Sequence, residues 1–405
     1  MLSIRDPVHG FIRADALETA LINSRPVQRL RFIHQLGFTF LIFPGAEHSR
    51  FSHVIGAMHL AGRLYDALCS KGEGSEAEAL LPSGARSLER RLVRAAALLH
   101  DVGHAPFSHS AEELFEGGID HEEMTRRLLS TPEVEAVFEQ HGEGIGTADV
   151  ARLFQRHGSP TERLLSQVIS GELDVDKMDY LLRDSLYCGV RYGTFDLERL
   201  LDTVIPLADP LTGDWGIGVE EGGIHALEAL VMARYYMFTQ VYFNATGKAL
   251  ELHLNEWMKE TGALWAADPD AFLAQDDVSV WSAMRASQSL HARAVVEREH
   301  FPVAFETREH LTPEEKERFE ALLPGLAGRF GDGNLLLSNS AKDPHRMGRS
   351  RVLVRLWDGS LEPMEQASQF IRHLSRIDRY RVYTPPPLRD PVASALLDLW
   401  TAPGN

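Results

Sequence analysis

The chain has 405 residues, of which 44% are hydrophobic, and a formal net charge of −17 at pH 7. This length exceeds the usual size of one domain, so we expect one large domain with a smaller appendage. The negative charge removes the overall basic surface that phosphate-backbone binding requires. Long nucleic acid is therefore disfavoured as a partner, although a local basic pocket is still permitted.

The cysteine content and the apolar runs indicate a compartment. Only Cys69 and Cys188 occur, which implies no disulfide framework and fits a reducing environment. The chain starts without an apolar segment of signal-peptide length, and aliphatic runs such as 95–99 are too short to span a bilayer. We therefore predict a cytoplasmic protein with no membrane segment.

Helical periodicity dominates the first 260 residues. The Pro44-Gly45 pair predicts a turn before a helix that begins near Ser49, and the Gly-, Ser- and Glu-rich stretch 71–84 predicts a mobile loop. Apolar side chains recur three and four positions apart, with few prolines, in the segments 50–69, 87–100, 161–170, 173–187 and 224–258.

The pattern changes after about residue 265. Alternating runs at 351–357 and 380–384 predict short strands, with a helix at 363–375 between them. We predict a mostly α-helical domain over residues 1–260 and a smaller α+β C-terminal region over 261–405 that packs on it.

A histidine and an aspartate stand at the end of an apolar helix. His100 and Asp101 are followed by Gly103, which predicts that the helix stops there and lets both side chains converge. Such a donor pair suits Fe, Mn, Co, Ni or Zn better than Mg or Ca. A lone His-Asp pair is more often a cap or a salt bridge, and His53, early in another apolar helix, would alone be read as structural. Their joint occurrence favours a metal site.

A stripe of polar side chains lies on another predicted helix. Asp176, Tyr180 and Asp184 are each one helical turn apart, so they share a face. The alternative is a solvated face on which Asp179 and Arg183 pair at i, i+4. That alternative explains the pair but not the stripe, so we favour a functional role for the stripe.

Further histidines follow the His-Asp pair closely in sequence, namely His104, His109 and His121. Imidazoles titrate near neutral pH and can protonate a leaving oxygen or donate hydrogen bonds to phosphate. The cluster thus suits phosphoryl chemistry. Alternatively, some of these histidines only orient their neighbours or lie in loops.

The order of these residues resembles the H…HD…D signature of the HD-domain phosphohydrolase superfamily. More closely, residues 4–250 resemble the deoxynucleoside triphosphate triphosphohydrolases of the sterile-alpha-motif/HD type and their bacterial relatives. The segments that carry the resemblance are Asp6-Pro-Val-His-Gly10, Val27-Gln-Arg-Leu-Arg31, Gln35-Leu-Gly37, Phe43-Pro-Gly45, His48-Ser-Arg-Phe-Ser-His53, His100-Asp-Val-Gly-His-Ala-Pro-Phe-Ser-His109, His121-Glu122 and Asp174-Val-Asp-Lys-Met-Asp-Tyr180.

The resemblance implies an HD-domain fold and a role for each matching residue. The metal, a divalent transition ion, would be held by His53, His100, Asp101 and Asp176. The triphosphate, with Mg²⁺ as its counter-ion, would be lined by Arg50, His104, His109, His121 and Lys177. The sugar would be contacted by Gln35, Tyr180, Asp184 and Tyr242. Within this set His109 would be the general acid, and Glu122 would orient a neighbouring histidine.

Two departures weaken parts of this transfer. Close relatives have a His-Lys pair after the tyrosine that matches Tyr242, whereas 243–245 here is Phe-Asn-Ala. Two phosphate-binding candidates are lost, and Tyr242 is either a sugar contact or a core tyrosine. Asn23 stands where the family's guanine-nucleotide site has an acidic residue, although Gln28 and Arg31 match, which argues against nucleotide activation. A homo-oligomer is still expected.

The leading hypothesis is hydrolysis of deoxynucleoside triphosphates to deoxynucleoside and inorganic triphosphate. Because fold and metal do not fix the base or the phosphate tail, the substrate could instead be a ribonucleotide, a signalling nucleotide or a monophosphate. Two other classes are a nucleotide sensor without turnover and a nuclease for single strands. The complete ligand set argues against the sensor, and the acidic composition argues against the nuclease.

Overall fold

The computed structural model describes residues 2–81, 86–108, 112–155, 158–343 and 352–401. Helices make up most of it, as predicted. In chain order they are α1 (Ala16–Ile22), α2 (Arg25–Arg29), α3 (Arg50–Gly72), α4 (Arg86–Leu99), α5 (His121–Leu129), α6 (Pro132–His141), α7 (Thr147–Gln155), α8 (Pro160–Ser170), α9 (Val175–Cys188), α10 (Leu197–Thr203), α11 (Ile224–Met237), α12 (Ala245–Thr261), α13 (Pro269–Leu273), α14 (Asp277–Ala286), α15 (Leu290–Val296), α16 (Pro313–Phe330), α17 (Met364–Ala367), α18 (Gln369–Arg372) and α19 (Arg389–Thr401).

Short strands form three small sheets. β1 and β2 make an antiparallel hairpin, β3, β4, β7 and β8 lie side by side in that order, and β9 lies between β5 and β6. The strands are β1 (Leu2–Asp6), β2 (Gly10–Ala14), β3 (Val204–Ala208), β4 (Trp215–Glu220), β5 (Val303–Glu306), β6 (Leu336–Lys342), β7 (Leu353–Arg355), β8 (Leu361–Pro363) and β9 (Ile377–Tyr383). The α+β character of the C-terminal region is confirmed.

Helix α3 lies at the centre of the helical part and packs against α4, α9 and α10. It begins at Arg50 after Ser49 in extended conformation, as predicted, and continues to Gly72. Most of its first turns are buried, from Arg50 through Leu64. Side chains on α3 are therefore held in fixed positions by neighbours on several sides.

The first 260 residues are mostly helical, as predicted, and also contain the short strands β1 to β4. One prediction within this part was wrong. The helix predicted over 224–258 is two helices, because a π-helical turn at Phe238–Tyr242 and the N-cap Asn244 interrupt it. The Asn244 side chain accepts hydrogen bonds from the backbone N–H groups of Thr246 and Gly247, which starts α12.

Two further predictions need correction. The loop predicted over 71–84 includes the last turn of α3 and a 3₁₀ turn at Glu76–Ala79, while 82–85 lie outside the described residues. The helix predicted over 363–375 is the pair α17 and α18, separated by Ser368 in extended conformation. The Ser368 hydroxyl caps α18 by accepting from the N–H of Ile371. This cap divides a segment that its apolar spacing predicts to be one helix.

The two halves of the chain share a sheet and a core. β4 pairs in parallel with β7, with Val219 opposite Val354, so a C-terminal strand extends the β3–β4 hairpin. The main hydrophobic cluster runs from Ile12 to Ile371, and a second one surrounds Phe319. The boundary near residue 260 stays a prediction. None of the helices in the described ranges combines the length and the apolar character needed to cross a bilayer.

A buried histidine pair between α12 and α15 predicts acid sensitivity. His253 Nε2 accepts from the N–H of Phe301, and its Nδ1 lies 2.8 Å from Nδ1 of His291. Burial, helped by the charges of His291 and His300, lowers the pKa of His253 to about 3. The unfolded chain, with an ordinary pKa near 6.5, binds a proton between these values that the folded chain does not.

The free energy of unfolding should therefore fall as the pH is lowered from about 6.5 towards 3. Urea unfolding at several pH values would measure this slope, and His253→Gln should flatten it because glutamine does not titrate. His225→Gln, at an exposed histidine, is the control and should leave the slope as it is. Equal slopes for all three proteins would contradict the assignment to His253.

Candidate metal centre

Two imidazoles and a carboxylate converge between α3, the end of α4 and the start of α9. Nε2 of His53 lies 3.1 Å from Oδ1 of Asp176, and Nε2 of His100 lies 3.6 Å from the same oxygen. Both Nε2 atoms are buried and make no hydrogen bond of acceptable geometry. Buried nitrogen and oxygen atoms that face one another in this way suit the coordination of a transition metal. These three residues could therefore hold an ion.

Asp101, the fourth predicted ligand, borders the same space. Its Oδ1 lies 3.2 Å from Nε2 of His100, and its Oδ2 lies 3.7 Å from Nε2 of His53. Burial would raise the pKa of Asp101, but the charges of His100 and Arg50 lower it below its ordinary value. The structure thus brings all four predicted ligands together, with the Asp101 carboxylate ionised.

The ligand histidines are oriented from behind through Nδ1. His100 Nδ1 lies 2.7 Å from the carbonyl oxygen of Ala97, and His53 Nδ1 lies 2.8 Å from Oδ2 of Asp179. A partner on Nδ1 fixes the tautomer that leaves Nε2 available to a metal. Both rings are therefore presented with Nε2 towards Asp176.

Asp179 is a functional residue that the sequence pattern did not reveal. It does pair with Arg183, through two contacts of 2.8 Å, but both side chains are completely buried rather than solvated. Asp179 Oδ1 also lies 2.7 Å from Nε2 of His9. The carboxylate therefore ties α9, the β1–β2 hairpin and the ring of His53 together. The sequence feature that could have revealed this role is the position of Asp179 three residues after Asp176 on the same helix.

The other predicted histidines occupy one side of this cluster. The rings of His104 and His121 lie 4.3 Å apart, and His104 Nδ1 is 3.3 Å from Oδ1 of Asp101. Glu122 is exposed in the first turn of α5. His109, the predicted general acid, lies outside the described residues. The roles of all four stay predictions.

The predicted sugar contacts meet one helical turn beyond Tyr180 on α9. Asp184 accepts a hydrogen bond of 2.7 Å from the Tyr242 hydroxyl and lies 2.9 Å from Nε2 of His48. The rings of Tyr180 and Tyr242 are 6.2 Å apart, edge to face. Gln35 donates its backbone N–H to the carbonyl oxygen of His48, and its buried Oε1 has no hydrogen-bond partner within the described part of the chain.

His48 begins the segment that ends at the metal ligand His53, and the sequence alone suggests no role for it. It links the backbone of Gln35 to the carboxylate of Asp184, and its ring stacks on Tyr187. His48 lies just before α3, and Arg50 and His53 lie in its first turn. This short segment therefore connects Asp184 to the metal ligands.

The predicted phosphate contacts are held by protein acceptors. Arg50 donates to Oδ2 of Asp101 at 2.5 Å and to the hydroxyl of Ser108 at 3.0 Å. Lys177 donates to Oδ2 of Asp174 at 2.5 Å and to the carbonyl oxygen of Gly171 at 2.7 Å. Both cations lie beside the cluster, so a phosphate would have to compete with these acceptors.

Arg234 is another cation that sequence reasoning missed. It is buried on α11 and lines the same small cavity as Lys177. Burial raises the pKa of Tyr180, and the charge of Arg234 partly opposes that rise, which places the guanidinium near the phenol. The sequence signal that could have revealed it is a basic residue in the apolar second half of α11, about two turns before Tyr242.

A carboxylate from the C-terminal half fixes the loop that follows His104. Buried Asp277 accepts from the N–H of Phe107 at 2.7 Å and from the N–H of His34 at 2.8 Å. Phe107 and Ser108 have φ of 56° and 62°, the left-handed region that costs a non-glycine residue about 1–3 kcal/mol. Asp277 thus stabilises a strained turn and also the residue before Gln35.

If the predicted hydrolysis of a nucleotide takes place at this site, we expect Asp277→Asn to lower its rate by about 10- to 100-fold without changing metal content, because small misplacements of contact groups cost this much. The rate under saturating substrate and the bound metal would be measured together. Asp276→Asn is the matched control, since asparagine still caps α14. Loss of metal in Asp277→Asn would show a general structural role instead of positioning.

The fold and the cluster define a class: a helical domain that presents two histidines and aspartates to a metal. Family comparison gives the same class, because residues 50–184 match the HD domain and 195–401 match the HD associated region. The chain therefore belongs to the HD-domain phosphohydrolase family, and the resemblance predicted from its motifs is confirmed.

Sequence relatives include proteins with and without a named activity. An uncharacterized protein of Bacillus subtilis, YwfO, is 40% identical over 62% of this chain and 54% of its own length. The Dictyostelium discoideum protein named deoxynucleoside triphosphate triphosphohydrolase SAMHD1 homolog is 32% identical over 64% of this chain and 49% of its length. The chain thus spans about half the length of these relatives.

Solved structures match along nearly the whole chain. A hypothetical protein from Aquifex aeolicus superimposes with a TM-score of 0.82 at 30% identity, covering 98% of this chain and 99% of that one. A phosphohydrolase from Bacteroides thetaiotaomicron superimposes with a TM-score of 0.73 at 26% identity, covering 95% and 99%.

Proposed function

We propose that this protein hydrolyses deoxynucleoside triphosphates to deoxynucleoside and inorganic triphosphate. One observation carries the proposal: the metal cluster continues directly into the group formed by Asp184, Tyr242 and Gln35. Asp184 keeps lone pairs for a sugar hydroxyl, and the buried Oε1 of Gln35 needs a donor. Relatives named as deoxynucleoside triphosphate triphosphohydrolases support the same substrate class.

The metal would be held by His53, His100, Asp101 and Asp176. When bound, a divalent ion lowers the pKa of a coordinated water and polarises the attacked phosphate. The protein contributes the positive charge around the triphosphate, from Arg50, Lys177 and Arg234, which offsets charge that develops during cleavage. His109 is the proposed proton donor to the departing 5′-oxygen, with His104 and His121 beside the phosphates.

Substrate selection would depend on Asp184 and its partners. Two donors, the Tyr242 hydroxyl and His48, already fix the orientation of this carboxylate, so it can accept a hydrogen bond from the 3′-hydroxyl without reorganising. The edge-to-face contact of Tyr180 with Tyr242 leaves an aromatic wall at the same place, suited to packing against a sugar that lacks the 2′-hydroxyl.

The decisive experiment is a substrate panel. Each deoxy- and ribonucleoside triphosphate would be incubated with the protein and Mn²⁺, Fe²⁺ or Mg²⁺, and the products separated by ion exchange. We expect deoxynucleoside and intact triphosphate, absent from the double variant His100→Ala with Asp101→Ala. Asp184→Asn should raise KM or lower kcat by about 10- to 100-fold with metal content unchanged, because it loses the carboxylate acceptor.

Other outcomes have defined meanings. Turnover of ribonucleotides, signalling nucleotides or monophosphates would support the proposed metal site but change the proposed substrate. Binding without turnover under all three metals would indicate a nucleotide sensor. The first alternative has a specific observation in its favour, because Asn244, where close relatives have a phosphate-binding pair, is occupied as the N-cap of α12.

A further inference from the structure

A second cavity lies outside the metal cluster, between β2, α1, α3 and α4. Its volume is about 300 Å³, and its lining includes four arginines and a histidine: Arg13, Arg90, Arg91, Arg94 and His59. We propose that this cavity, which we call the arginine pocket, binds a small molecule that carries a di- or triphosphate. The proposal does not depend on the reaction at the metal.

The acidic residues of the arginine pocket are already neutralised. Both carboxylate oxygens of Glu18 accept from the guanidinium of buried Arg94, at 2.5 and 2.8 Å. Asp15 accepts from Arg91 at 3.1 Å and also caps α1. The other two pairs use acids outside the lining, Asp66 with Arg90 and Glu143 with Arg91, and both of these carboxylates are exposed. An anion with two or more charges would therefore bind by replacing them.

Two arginines remain to bind that anion. The guanidinium of Arg13 is exposed and has no hydrogen-bond or ion-pair partner among the described residues. Arg90 makes a two-point contact with Asp66, whose side chain is 55% exposed, so solvent screens this pair. Guanidinium groups bind phosphate oxygens in the same bidentate manner, so a phosphate would compete with Asp66 for Arg90.

The remaining walls fit a nucleotide better than a single phosphate. Phe11 is 64% exposed in this lining, with the guanidinium of Arg5 4.7 Å from its ring centre. An exposed aromatic ring beside a cation offers a stacking surface for a base. The volume lies at the lower end of the range for small-molecule sites, and a lone phosphate would leave much of it empty.

The arginine pocket is close to the metal cluster but separate from it. His59 lies on α3 six residues after His53, on another face of the helix. Its ring is 5.6 Å from that of His9, and His9 contacts Asp179, which orients His53. No residue of the pocket lining is among the proposed metal or substrate contacts.

Binding would be tested by titration calorimetry with inorganic tripolyphosphate and, separately, with a non-hydrolysable deoxynucleoside triphosphate. The double variant His100→Ala with Asp101→Ala removes metal-dependent binding but keeps Arg50 and Lys177, so the arginine pocket is identified by its own substitutions. In that background we expect binding that Arg13→Ala and Arg90→Ala each weaken at least about tenfold, since each removes a charge-assisted hydrogen bond. Arg152→Ala, another exposed arginine in an ion pair, is the matched control.

Each outcome decides the proposal. Tighter binding of the nucleotide than of tripolyphosphate, lost in Phe11→Ala, identifies a nucleotide site, while equal binding identifies a polyphosphate site. Absence of binding in the metal-site variant, or binding that Arg13→Ala and Arg90→Ala leave unchanged, overturns it. Both substitutions are at exposed side chains, and thermal unfolding of each variant verifies that the fold is retained.

Discussion

Replacing Asp179 with asparagine is expected to lower metal affinity by about 10- to 100-fold and the free energy of unfolding by about 3–5 kcal/mol. Both oxygens of this buried carboxylate accept: Oδ1 from His9 and Arg183, Oδ2 from His53 and Arg183. An amide supplies one acceptor oxygen and turns the other position into a donor. The amide NH₂ group would then stand where a carboxylate oxygen accepts from two donors, so that donor would face donor.

The charge of Asp179 adds to this effect. Burial would raise its pKa, but the charge of Arg183 lowers it well below the ordinary value, so the group is ionised in the folded protein. Without that charge, buried Arg183 keeps only Asp6 as a carboxylate partner, at 2.8 Å. The loss of one of the two carboxylates that neutralise and orient this buried guanidinium is the main source of the expected loss of stability.

Elemental analysis of the purified variant and urea unfolding would measure the two effects. The matched control is Glu297→Gln, which removes the acid from an exposed i, i+4 pair with Arg293 and should cost less than about 1 kcal/mol. If Asp179→Asn kept full metal content and stability, the proposed orientation of His53 through Asp179 would be wrong.

The sequence could single out the four residues that gather at the candidate metal centre because their signals are local. A glycine stop after His100-Asp101, a histidine in the first turn of α3 and a carboxylate stripe on α9 can each be read from a few neighbouring residues. The helix beginning near Ser49 and the strands near 353 and 380 were confirmed for the same reason. What the pattern could not give was the convergence of these elements, which depends on packing around α3.

The missed residues act over long separations. Asp277 accepts from the N–H of Phe107, which lies 170 residues earlier in the chain. Asp179 was read as half of an i, i+4 pair, since spacing on a helix gives the partner but not the burial. His48 lay inside a quoted motif, and only the contact with Asp184 shows what its imidazole does.

The second large effect is expected at Gly56, where α3 passes closest to the Asp179–Arg183 pair. A Cβ atom at this position would lie 1.9 Å from Oδ1 of Asp179 and 2.3 Å from an Nη atom of Arg183. We expect Gly56→Ala to lower the free energy of unfolding by about 2–4 kcal/mol, because a methyl group must displace a buried ion pair. The same displacement should reduce metal content, since Asp179 orients His53.

Gly328→Ala provides the matched control for this substitution. Gly328 also lies inside a helix, α16, but a Cβ atom there would meet nothing within 4 Å. Alanine favours helix over glycine by about 1 kcal/mol, so this variant should be as stable as the parent or more so. Urea unfolding and metal analysis of both variants separate the two effects: Gly56→Ala should lose stability and metal together. A stable Gly56→Ala that retains its metal would mean that α3 and α9 can separate without disturbing His53, which the buried contacts of Asp179 argue against.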